Sequence, residues 1–245
     1  MSISEPRDSL YADPLGKIDG FSFDEQVARV FPDMLRRSIP GYGTILTQCG
    51  LLAEKYARDN SDIYDLGCSL GATTFAMRKR IQRQGCRIIA VDNSPAMIER
   101  CRQLLAQDPD KIPVDLQLAD IADIEITRAS IVSLNFTLQF FAPERRRALL
   151  QGIYDGLLPG GVLILSEKIC FSDPRQQALH TEMYHAFKAA NGYSELEISQ
   201  KRTALENVLI PDTLPEHHAR LQACGFSSSE VWFQCFNFAS IIALK

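Results

Sequence analysis

The sequence predicts an α/β fold built on a seven-stranded, mostly parallel sheet. Short apolar or β-branched runs alternate with helical segments between residues 61 and 166. This alternation is typical of βαβ units, which form parallel sheets. Two more strands then follow, joined by a turn too short for a crossover helix, so we expect them to pair antiparallel. With 245 residues, 46% of them hydrophobic, the chain can form one domain with additions.

The segment ahead of the sheet reads as an arm followed by helices. Residues 1–22 are rich in turn formers, and we expect a flexible N-terminal arm. From residue 23 to 49 the pattern is helical, with expected breaks at Pro32 and Pro40. A helix from Thr44 to about Arg58 follows, because its apolar residues form a single stripe.

The strands and helices of the sheet follow in regular order. Parallel strands are predicted at 61–66, 86–91, 114–118, 130–135 and 162–166, and the hairpin at 229–234 and 238–244. Helices are predicted at 72–83 and 143–157 and after Ser94, and residues 173–210 read as helix throughout. The whole pattern predicts a Rossmann-like class I methyltransferase fold with an added helical segment at about 173–210. We therefore expect residues 23–245 to form a single domain.

Charge and hydropathy narrow the classes of partner. The net charge is −4, whereas proteins that grip a nucleic-acid backbone usually present a basic face. The densest basic runs, at 78–80 and 145–147, fall in predicted helices and are interpreted as solvated faces. No run approaches the roughly 18 apolar residues of a membrane span. We therefore expect a small-molecule substrate, with no direct contact to nucleic acid or membrane.

The cysteines and histidines favour a cytoplasmic protein without a metal centre. There are seven cysteines, an odd number, and they are scattered with no C-x-x-C pair. This usage indicates reduced thiols rather than disulfides or a zinc site. His180 and His185 are five residues apart on a presumed helix, so they should lie on different faces. The first twenty residues do not read as a secretory signal.

The most informative segment is the glycine turn YDLGCSLGA at 64–72. It follows the first strand, where open α/β sheets bind ligands. Gly67 and Gly71 allow a sharp turn and a close approach of backbone to ligand. The turn does not match the dinucleotide-binding fingerprint G-x-G-x-x-G, because Ser69 stands where the second glycine belongs. GCSLG also matches the nucleophile elbow of α/β-hydrolases, with Ser69 as nucleophile and His217 or His218 as base.

A nucleoside-binding site explains more of the surrounding residues than a hydrolase site does. Asp92 lies at the end of the second predicted strand, where a carboxylate can accept hydrogen bonds from two ribose hydroxyls. Asp120 and Ile121 lie at the end of the third strand, where an adenine ring would sit. Hydrolase chemistry leaves both acids without a role. The residues therefore favour an S-adenosyl-L-methionine loop, with the hydrolase kept as the weaker alternative.

Several segments together resemble the carboxy-S-adenosyl-L-methionine synthase family. They are FPDM (31–34), SIPGY (38–42), YDLGCSLGA (64–72), DNSPAMIERCR (92–102), LNFTLQF (134–140), LSEK (165–168), NGYSELEISQKR (191–202) and VWFQCFNF (231–238). The segment at 191–202 is the most specific, because ordinary methyltransferases have nothing comparable. The resemblance runs from about Phe23 to the end of the chain.

The resemblance implies an unusual reaction. Members of this family convert S-adenosyl-L-methionine and prephenate into carboxy-S-adenosyl-L-methionine and phenylpyruvate. A separate enzyme then uses the product to carboxymethylate a modified wobble uridine of transfer RNA. The resemblance also implies a homodimer. Two rivals remain open, a conventional methyltransferase and a nucleoside-binding sensor that uses residues 173–210 as a partner surface.

The resemblance also implies the site residues. The ligand-binding positions are Tyr42, Gly67, Cys68, Ser69, Asp92, Asn93, Asp120, Ile121, Asn135 and Arg202. Arg202 is the candidate catalytic residue, since its guanidinium can hold a carboxylate with two hydrogen bonds. In this family the arginine is thought to reach across a dimer interface. Lys168 and Tyr193 are weaker candidates for contacting prephenate.

Overall fold

The computed structural model describes residues 6–110 and 112–245, and the sheet has the predicted seven strands. They are β1 (Asp62–Leu66), β2 (Arg87–Asp92), β3 (Val114–Leu118), β4 (Ala129–Asn135), β5 (Leu157–Lys168), β6 (Ser228–Cys235) and β7 (Phe238–Leu244). Their spatial order is β3-β2-β1-β4-β5-β7-β6. The first five run parallel to one another, and β7 is antiparallel to both β5 and β6. The predicted fold class is confirmed.

Eight α-helices surround this sheet in the part of the chain that the structure describes. They are α1 (Glu25–Ser38), α2 (Tyr42–Tyr56), α3 (Ala72–Arg78), α4 (Pro95–Leu105), α5 (Pro143–Gly156), α6 (Pro174–Ala190), α7 (Glu195–Leu205) and α8 (Leu214–Ala223). Within the described residues, no helix is both long enough and apolar enough to cross a bilayer.

The two faces of the sheet bury separate apolar cores. Successive strand residues point to opposite faces, so Ile63 and Tyr64 of β1 enter different cores. Ile63 packs with Ile45 of α2, whereas Tyr64 packs with Leu150 of α5 and Leu221 of α8. All five side chains are at most 2% exposed. Helices on both faces therefore fix the strands, and the carboxyl ends of the strands are left to form a site.

Helix α1 passes through one of the two prolines that were expected to break it. Asp24 caps its start by accepting a hydrogen bond from the Val27 N–H at 2.9 Å, and Pro32 lies inside the helix. The prediction of a break at Pro32 is therefore wrong. An internal proline costs about 3 kcal/mol, and burying several apolar side chains at about 1.5–3 kcal/mol each offsets that cost. Those side chains are Val27, Val30, Phe31 and Met34. Pro40 does follow the end of the helix.

The helical segment predicted at 173–210 is two helices rather than one. Gly192 takes a left-handed conformation with φ +83°, which ends α6. Ser194 then starts α7 with a capping box, since Ser194 and Glu197 each bond the other's backbone N–H. Helix α7 ends at Leu205, so the prediction that the helix continues to residue 210 is wrong. The turn lets α7 fold back beside α6.

The segment predicted to be a loose arm is held on the protein around Asp8, which is 1% exposed. The Tyr193 hydroxyl donates to the Asp8 carboxylate at 2.5 Å, and the Lys201 ammonium lies 3.5 Å from the same oxygen. The Asp8 N–H donates to the Asp33 carboxylate, and Arg37 donates to the Asp8 carbonyl. These contacts come from distant parts of the chain, so turn-forming composition could not predict them. Residues 1–5 of the predicted arm lie outside the described residues.

The basic runs are less solvated than their helical setting predicted. Arg146 is fully buried and lies 2.6 Å from the Asp212 carboxylate, which Arg220 also approaches at 2.8 Å. Arg78 pairs with Asp108 at 2.7 Å. The interpretation of both runs as solvated faces is wrong for these two arginines. Each of these arginines forms a buried or half-buried ion pair that joins separate elements.

Candidate functional site

A cavity of about 590 Å³ lies along the carboxyl ends of β1 to β5. This is the edge at which open α/β sheets bind ligands, and the volume suits a ligand of nucleoside size or larger. Nine predicted site residues line it: Tyr42, Gly67, Cys68, Ser69, Asp92, Asn93, Asp120, Ile121 and Asn135. The structure therefore brings together residues from five separate stretches of the chain.

The glycine turn after β1 adopts conformations that ordinary side chains disfavour. Gly67 and Gly71 have φ values of +79° and +85°, and Ser69 has +48°. A Cβ on Gly67 would overlap the Thr137 side chain, and one on Gly71 would lie 2.8 Å from the Cys101 sulfur. Both glycines are required by backbone conformation and by space. The turn thus presents backbone, rather than side chains, to the cavity.

Asp65, the acid of the glycine turn, lies behind the cavity rather than in it. Its carboxylate is 1% exposed and accepts a hydrogen bond from the Thr74 hydroxyl at 2.6 Å. Burial raises the pKa of Asp65 to about 6. The contact links the end of β1 to the first turn of α3, so this acid holds the glycine turn in place.

Asp92 joins the glycine turn to the end of β2. One carboxylate oxygen accepts from the Ser69 N–H and the other from the Ser94 N–H, both at 2.9 Å. Burial raises the pKa of the Asp92 carboxyl. A carboxylate oxygen has two lone pairs, so each oxygen keeps one for a ligand hydroxyl. The geometry suits a pair of neighbouring hydroxyls, as on a ribose.

The residues after β3 combine a structural and a lining role. Asp120 starts a single turn of 3-10 helix and accepts a hydrogen bond from the Ala122 N–H at 2.9 Å. Ile121 is 6% exposed and adds an apolar surface to the same part of the cavity. An apolar surface beside backbone polar groups suits a flat heteroaromatic ring.

Asn135, the last residue of β4, has a hydrogen bond from the nitrogen of its side-chain amide. Its Nδ2 donates to the Thr73 hydroxyl at 2.9 Å, which fixes the amide plane. Its buried Oδ1 has no hydrogen-bond partner among the described residues. A buried acceptor left unpaired costs free energy, so a ligand group with positive character would be stabilised here.

One wall of the cavity is aromatic. The ring of Phe136 lies 6.4 Å from that of Tyr42 and 6.0 Å from that of Phe238, and Tyr184 packs 5.0 Å from Phe238. Phe136 has a positive φ of 62°, a strained conformation of the kind that clusters at functional sites. Burial raises the pKa of the Tyr42 hydroxyl, which therefore stays protonated. The wall gives this end of the cavity an apolar surface.

Beside the aromatic wall lie three buried or half-buried lysines. Lys168 and Lys201 line the cavity, and Lys188 lies behind Tyr184, with its ammonium 4.9 Å from the centre of that ring. Burial lowers the pKa of Lys168, and it lowers those of Lys188 and Lys201 to about 7 and about 8. The cavity thus has a polar end near Asp92 and a cationic end near Tyr184.

Arg202 lies outside the cavity of its own chain. Lys201 and Leu205, four residues apart on α7, both line the cavity, and Arg202 follows Lys201 by about 100° of helical turn. Its side chain is exposed. Its charge contributes to lowering the pKa of His185, after burial and Lys188. The structure therefore does not bring Arg202 to the other predicted site residues within one chain.

Relatives of known name cover almost the whole chain. The carboxy-S-adenosyl-L-methionine synthase of Geobacter sp. (strain M21) is 62% identical over 239 residues, 97% of this chain and 98% of the relative. The synthase of Trichlorobacter lovleyi is 60% identical over 244 residues, 99% of this chain and 100% of the relative. The synthase of Vibrio cholerae is 57% identical over 244 residues, 100% of this chain and 99% of the relative. This chain belongs to the carboxy-S-adenosyl-L-methionine synthase family. A family model described as "Methyltransferase domain" also matches residues 63–161.

Solved structures share the fold of this synthase family at low identity. Human N-acetylserotonin methyltransferase in complex with SAM has a TM-score of 0.61 at 20% identity, over 90% of this chain and 55% of that one. An O-methyltransferase family protein from Burkholderia thailandensis has a TM-score of 0.66 at 15% identity, over 92% and 64%. These likenesses show the methyltransferase fold, and the family makes the chain an enzyme of the transferase class.

Neither histidine that a hydrolase would need reaches the cavity of this synthase-family chain. His217 is 2% exposed on α8, and burial lowers its pKa to about 4, with Asp212 and Arg220 nearby. His218 pairs with the Ser229 hydroxyl at 2.7 Å. None of the four histidines lines the cavity with Ser69, so the hydrolase alternative is wrong. The described residues also contain no group of three His, Cys, Asp or Glu placed to hold a metal ion.

Several lining residues were missed by sequence reasoning. Thr73, Gln139, Tyr184, Lys201 and Phe238 all line the cavity. Thr73 follows the glycine turn directly, and Lys201 stands beside Arg202, so each had a local signal. Tyr184 and Phe238 come from α6 and β7 and had none, because no local pattern places a helix above a distant strand end.

Proposed function

We propose that this chain makes carboxy-S-adenosyl-L-methionine from S-adenosyl-L-methionine and prephenate and releases phenylpyruvate. The observation that carries the proposal is the division of one cavity into two ends. A nucleoside-type end has Asp92 and Asp120, and a cationic end has Lys168 and Lys201. A methyltransferase with a neutral acceptor would need only the first end. Family membership supports the same activity.

In this proposal, S-adenosyl-L-methionine occupies the polar end of the cavity. Asp92 accepts hydrogen bonds from the ribose hydroxyls, and Ile121 borders adenine. The backbone of Gly67 approaches the methionine part, since no Cβ stands in the way. The unpaired Oδ1 of Asn135 faces the sulfonium and stabilises its positive charge.

The proposed chemistry needs no protein nucleophile. The positive sulfur acidifies the adjacent methyl group, because it stabilises the carbanion as an ylide. Prephenate loses its ring carboxylate as carbon dioxide and its ring hydroxyl as hydroxide, and so becomes aromatic. The hydroxide takes a methyl proton to give water, and the ylide carbon attacks the carbon dioxide. The new C–C bond completes carboxy-S-adenosyl-L-methionine, and atoms and charge balance.

Both intermediates would be lost in open water, so the site must be dry. The aromatic wall of Tyr42, Phe136 and Phe238 supplies this protection. The same wall offers flat surfaces against which a cyclohexadiene, and then a benzene ring, can pack.

We further propose that Arg202 acts across a homodimer and holds the transferred carboxylate. Arg202 is exposed and outside its own cavity, so a second copy can receive it. Large apolar side chains are also exposed on α6 and α7, at Leu179 (50%), Met183 (39%) and Leu196 (38%). Such side chains favour burial against another chain. The two-helix segment would thus serve as the interface.

The product would pass to another enzyme that modifies a wobble uridine of transfer RNA. A net charge of −4 suits a protein that makes the donor and leaves RNA binding to that enzyme. We place this step in the cytoplasm, and the free state of all seven cysteines supports a reducing compartment.

Mass spectrometry of the small molecules that co-purify with the protein tests the proposal. The expected ligand is heavier than S-adenosyl-L-methionine by one carbon dioxide. Recovery of S-adenosyl-L-methionine or its demethylated form alone, from cells that make prephenate, would contradict it and favour ordinary methyl transfer.

A further inference from the structure

We propose that Lys168, Lys188 and Lys201 form an anion subsite for the carboxylate that the second substrate retains. The inference rests on the proposed function, in which prephenate brings two carboxylates and gives up one. It assigns the other, on the pyruvyl side chain, to the cationic end of the cavity.

The three lysines come from separate elements, and two of them, Lys168 and Lys188, converge on one ring. Lys168 ends β5, Lys188 lies on α6 and Lys201 on α7. The ammonium groups of Lys168 and Lys188 lie 5.0 Å and 4.9 Å from the centre of the Tyr184 ring. Lys168, Lys201 and Tyr184 line the same cavity as Asp92. A bound anion beside Tyr184 would therefore meet several positive charges at once.

The three lysines have fewer acidic partners than buried ammonium groups usually have. Lys188 and Lys201 are each 4% exposed, and buried ammonium groups ordinarily have acidic partners. Within the part of the chain that the structure describes, Asp8 is the one carboxylate within ion-pair distance of Lys201, at 3.5 Å, and the Tyr193 hydroxyl shares that oxygen. Among the described residues, neither Lys168 nor Lys188 has a carboxylate within ion-pair distance. Lys201 and Lys168 also lower the pKa of Lys188, after burial, and a carboxylate beside these ammonium groups would offset that repulsion.

The surroundings indicate what the carboxylate is attached to. The ring of Phe238 packs 5.0 Å from Tyr184, and Phe136 lies next to Phe238. A small carboxylate that bears a ring would place its charged end beside the lysines and its ring against these aromatic side chains. Prephenate and phenylpyruvate both have this form. Their pyruvyl carboxylate is a charged group that the reaction leaves unchanged.

A group unchanged by the reaction is bound equally in the ground state and the transition state. Contacts to it lower KM for that substrate without raising kcat. Loss of a lysine should therefore raise KM for prephenate and spare kcat. A lysine that instead held the methionine carboxylate would change the affinity for S-adenosyl-L-methionine.

The test uses single variants Lys168→Met and Lys188→Met, with Lys55→Met as the matched control. Lys55 makes a similar contact, 5.4 Å from the Tyr56 ring, but is exposed and outside the cavity. KM and kcat for prephenate are measured at saturating S-adenosyl-L-methionine, and calorimetry gives the Kd of S-adenosyl-L-homocysteine. Thermal melting confirms that each variant folds. Lys168→Arg, which keeps the charge, serves as the conservative variant.

The expected result is a tenfold or greater rise in KM for prephenate in both methionine variants, with kcat within threefold and the Kd unchanged. Lys168→Arg should recover most of the loss, and Lys55→Met should behave as wild type. An unchanged KM for prephenate in the methionine variants would overturn the lysine assignment, whether or not the Kd of S-adenosyl-L-homocysteine becomes weaker. The proposed function would still stand in that case, as long as the wild type turns over prephenate.

A binding measurement separates failure of this inference from failure of the proposed function. Phenylpyruvate and its neutral analogue phenylacetone, which lacks the carboxylate, are titrated into wild type and Lys168→Met. Wild type should prefer phenylpyruvate, and the variant should lose that preference. If wild type makes no carboxylated product, the proposed function fails. Equal binding of phenylpyruvate and phenylacetone to wild type would, by itself, overturn the anion subsite.

Discussion

The backbone N–H of Ser69 donates to the Asp92 carboxylate over 2.9 Å, and this bond ties the glycine turn to the end of β2. The same carboxylate accepts from Ser94 at the start of α4 and lines the cavity. One side chain therefore holds the shape of the turn and lines the cavity in which we propose that the ligand binds. A change at Asp92 should affect both functions together.

Asp92→Asn should weaken S-adenosyl-L-methionine binding at least tenfold. An amide has one acceptor oxygen, so its NH2 group would face the N–H of either Ser69 or Ser94, and that mismatch should cost about 1–3 kcal/mol. Calorimetric titration measures the Kd. Asp115→Asn is the control, because Asp115 lies on β3 and bonds only to the nearby Gln117 among the hydrogen bonds seen for it. Binding by Asp92→Asn within twofold of wild type would remove the ribose assignment.

Gly67→Ala should destabilise the fold and weaken ligand binding. The φ of +79° costs an alanine about 1 kcal/mol, and its Cβ would overlap Thr137. Gly152→Ala is the matched control, since a Cβ there meets nothing within 4 Å. In the middle of α5 that change should stabilise by about 0.5–1 kcal/mol. Urea unfolding measures both, and shifts in the same direction would contradict the account of the turn.

Mixed dimers of Arg202→Ala and Asp92→Ala chains should regain activity that neither variant has alone. If Arg202 serves its partner's cavity, one site of each mixed dimer combines an intact Asp92 with an intact Arg202. Half the dimers are mixed and one of their two sites is intact, so about a quarter of wild-type activity is expected. Product formation is assayed after the variants are co-refolded. Absence of recovery would place Arg202 in its own chain or outside the mechanism.

Lys188→Met should stabilise the protein at neutral pH, and the gain should shrink as the pH rises. Burial lowers the pKa of Lys188 from 10.5 to about 7. Below pH 7 both states hold the proton, and the native state bears the full cost of the buried charge. Between about pH 7 and 10.5 the unfolded state binds more protons, so wild-type stability rises with pH.

The expected gain of Lys188→Met is about 2–4 kcal/mol at pH 6 and falls towards zero near pH 10. Urea unfolding at four pH values measures it, against wild type. Lys201, Lys168 and Asp8 act on the same ammonium, and they are unchanged in the variant. A gain that stays constant from pH 6 to 10 would show that Lys188 does not change protonation in the native state.

The polar end of the site was predictable from sequence for a physical reason. Parallel strands place their carboxyl ends on one edge, so residues at the ends of successive strands, such as Asp92 and Asp120, must meet. Gly67 and Gly71 were predictable because only glycine suits their left-handed turns. The prediction for Asn135, and those for Tyr42 and Arg202, depended on the family resemblance.

At the cationic end, Lys168 was a candidate from the family resemblance, but Lys188 and Lys201 were not predictable, because contacts between distant segments leave no local pattern. Asp8 and Lys201 meet from opposite ends of the chain, although turn-forming composition predicted a loose arm around Asp8. Helical periodicity placed Lys188 on a helix but could not show which strand end that helix covers. Tertiary packing likewise overrode the local rules for Pro32 and for Arg146.

The most direct test of the central claim follows the methyl carbon of S-adenosyl-L-methionine. The purified protein is incubated with prephenate and S-adenosyl-L-methionine labelled with ¹³C in its methyl group, and the products are separated by mass spectrometry. The account predicts a sulfonium that is heavier by one carbon dioxide and retains the label, formed in equal amount with phenylpyruvate. Phenylpyruvate at the level of the protein-free control, with the label still in unchanged S-adenosyl-L-methionine, would contradict it.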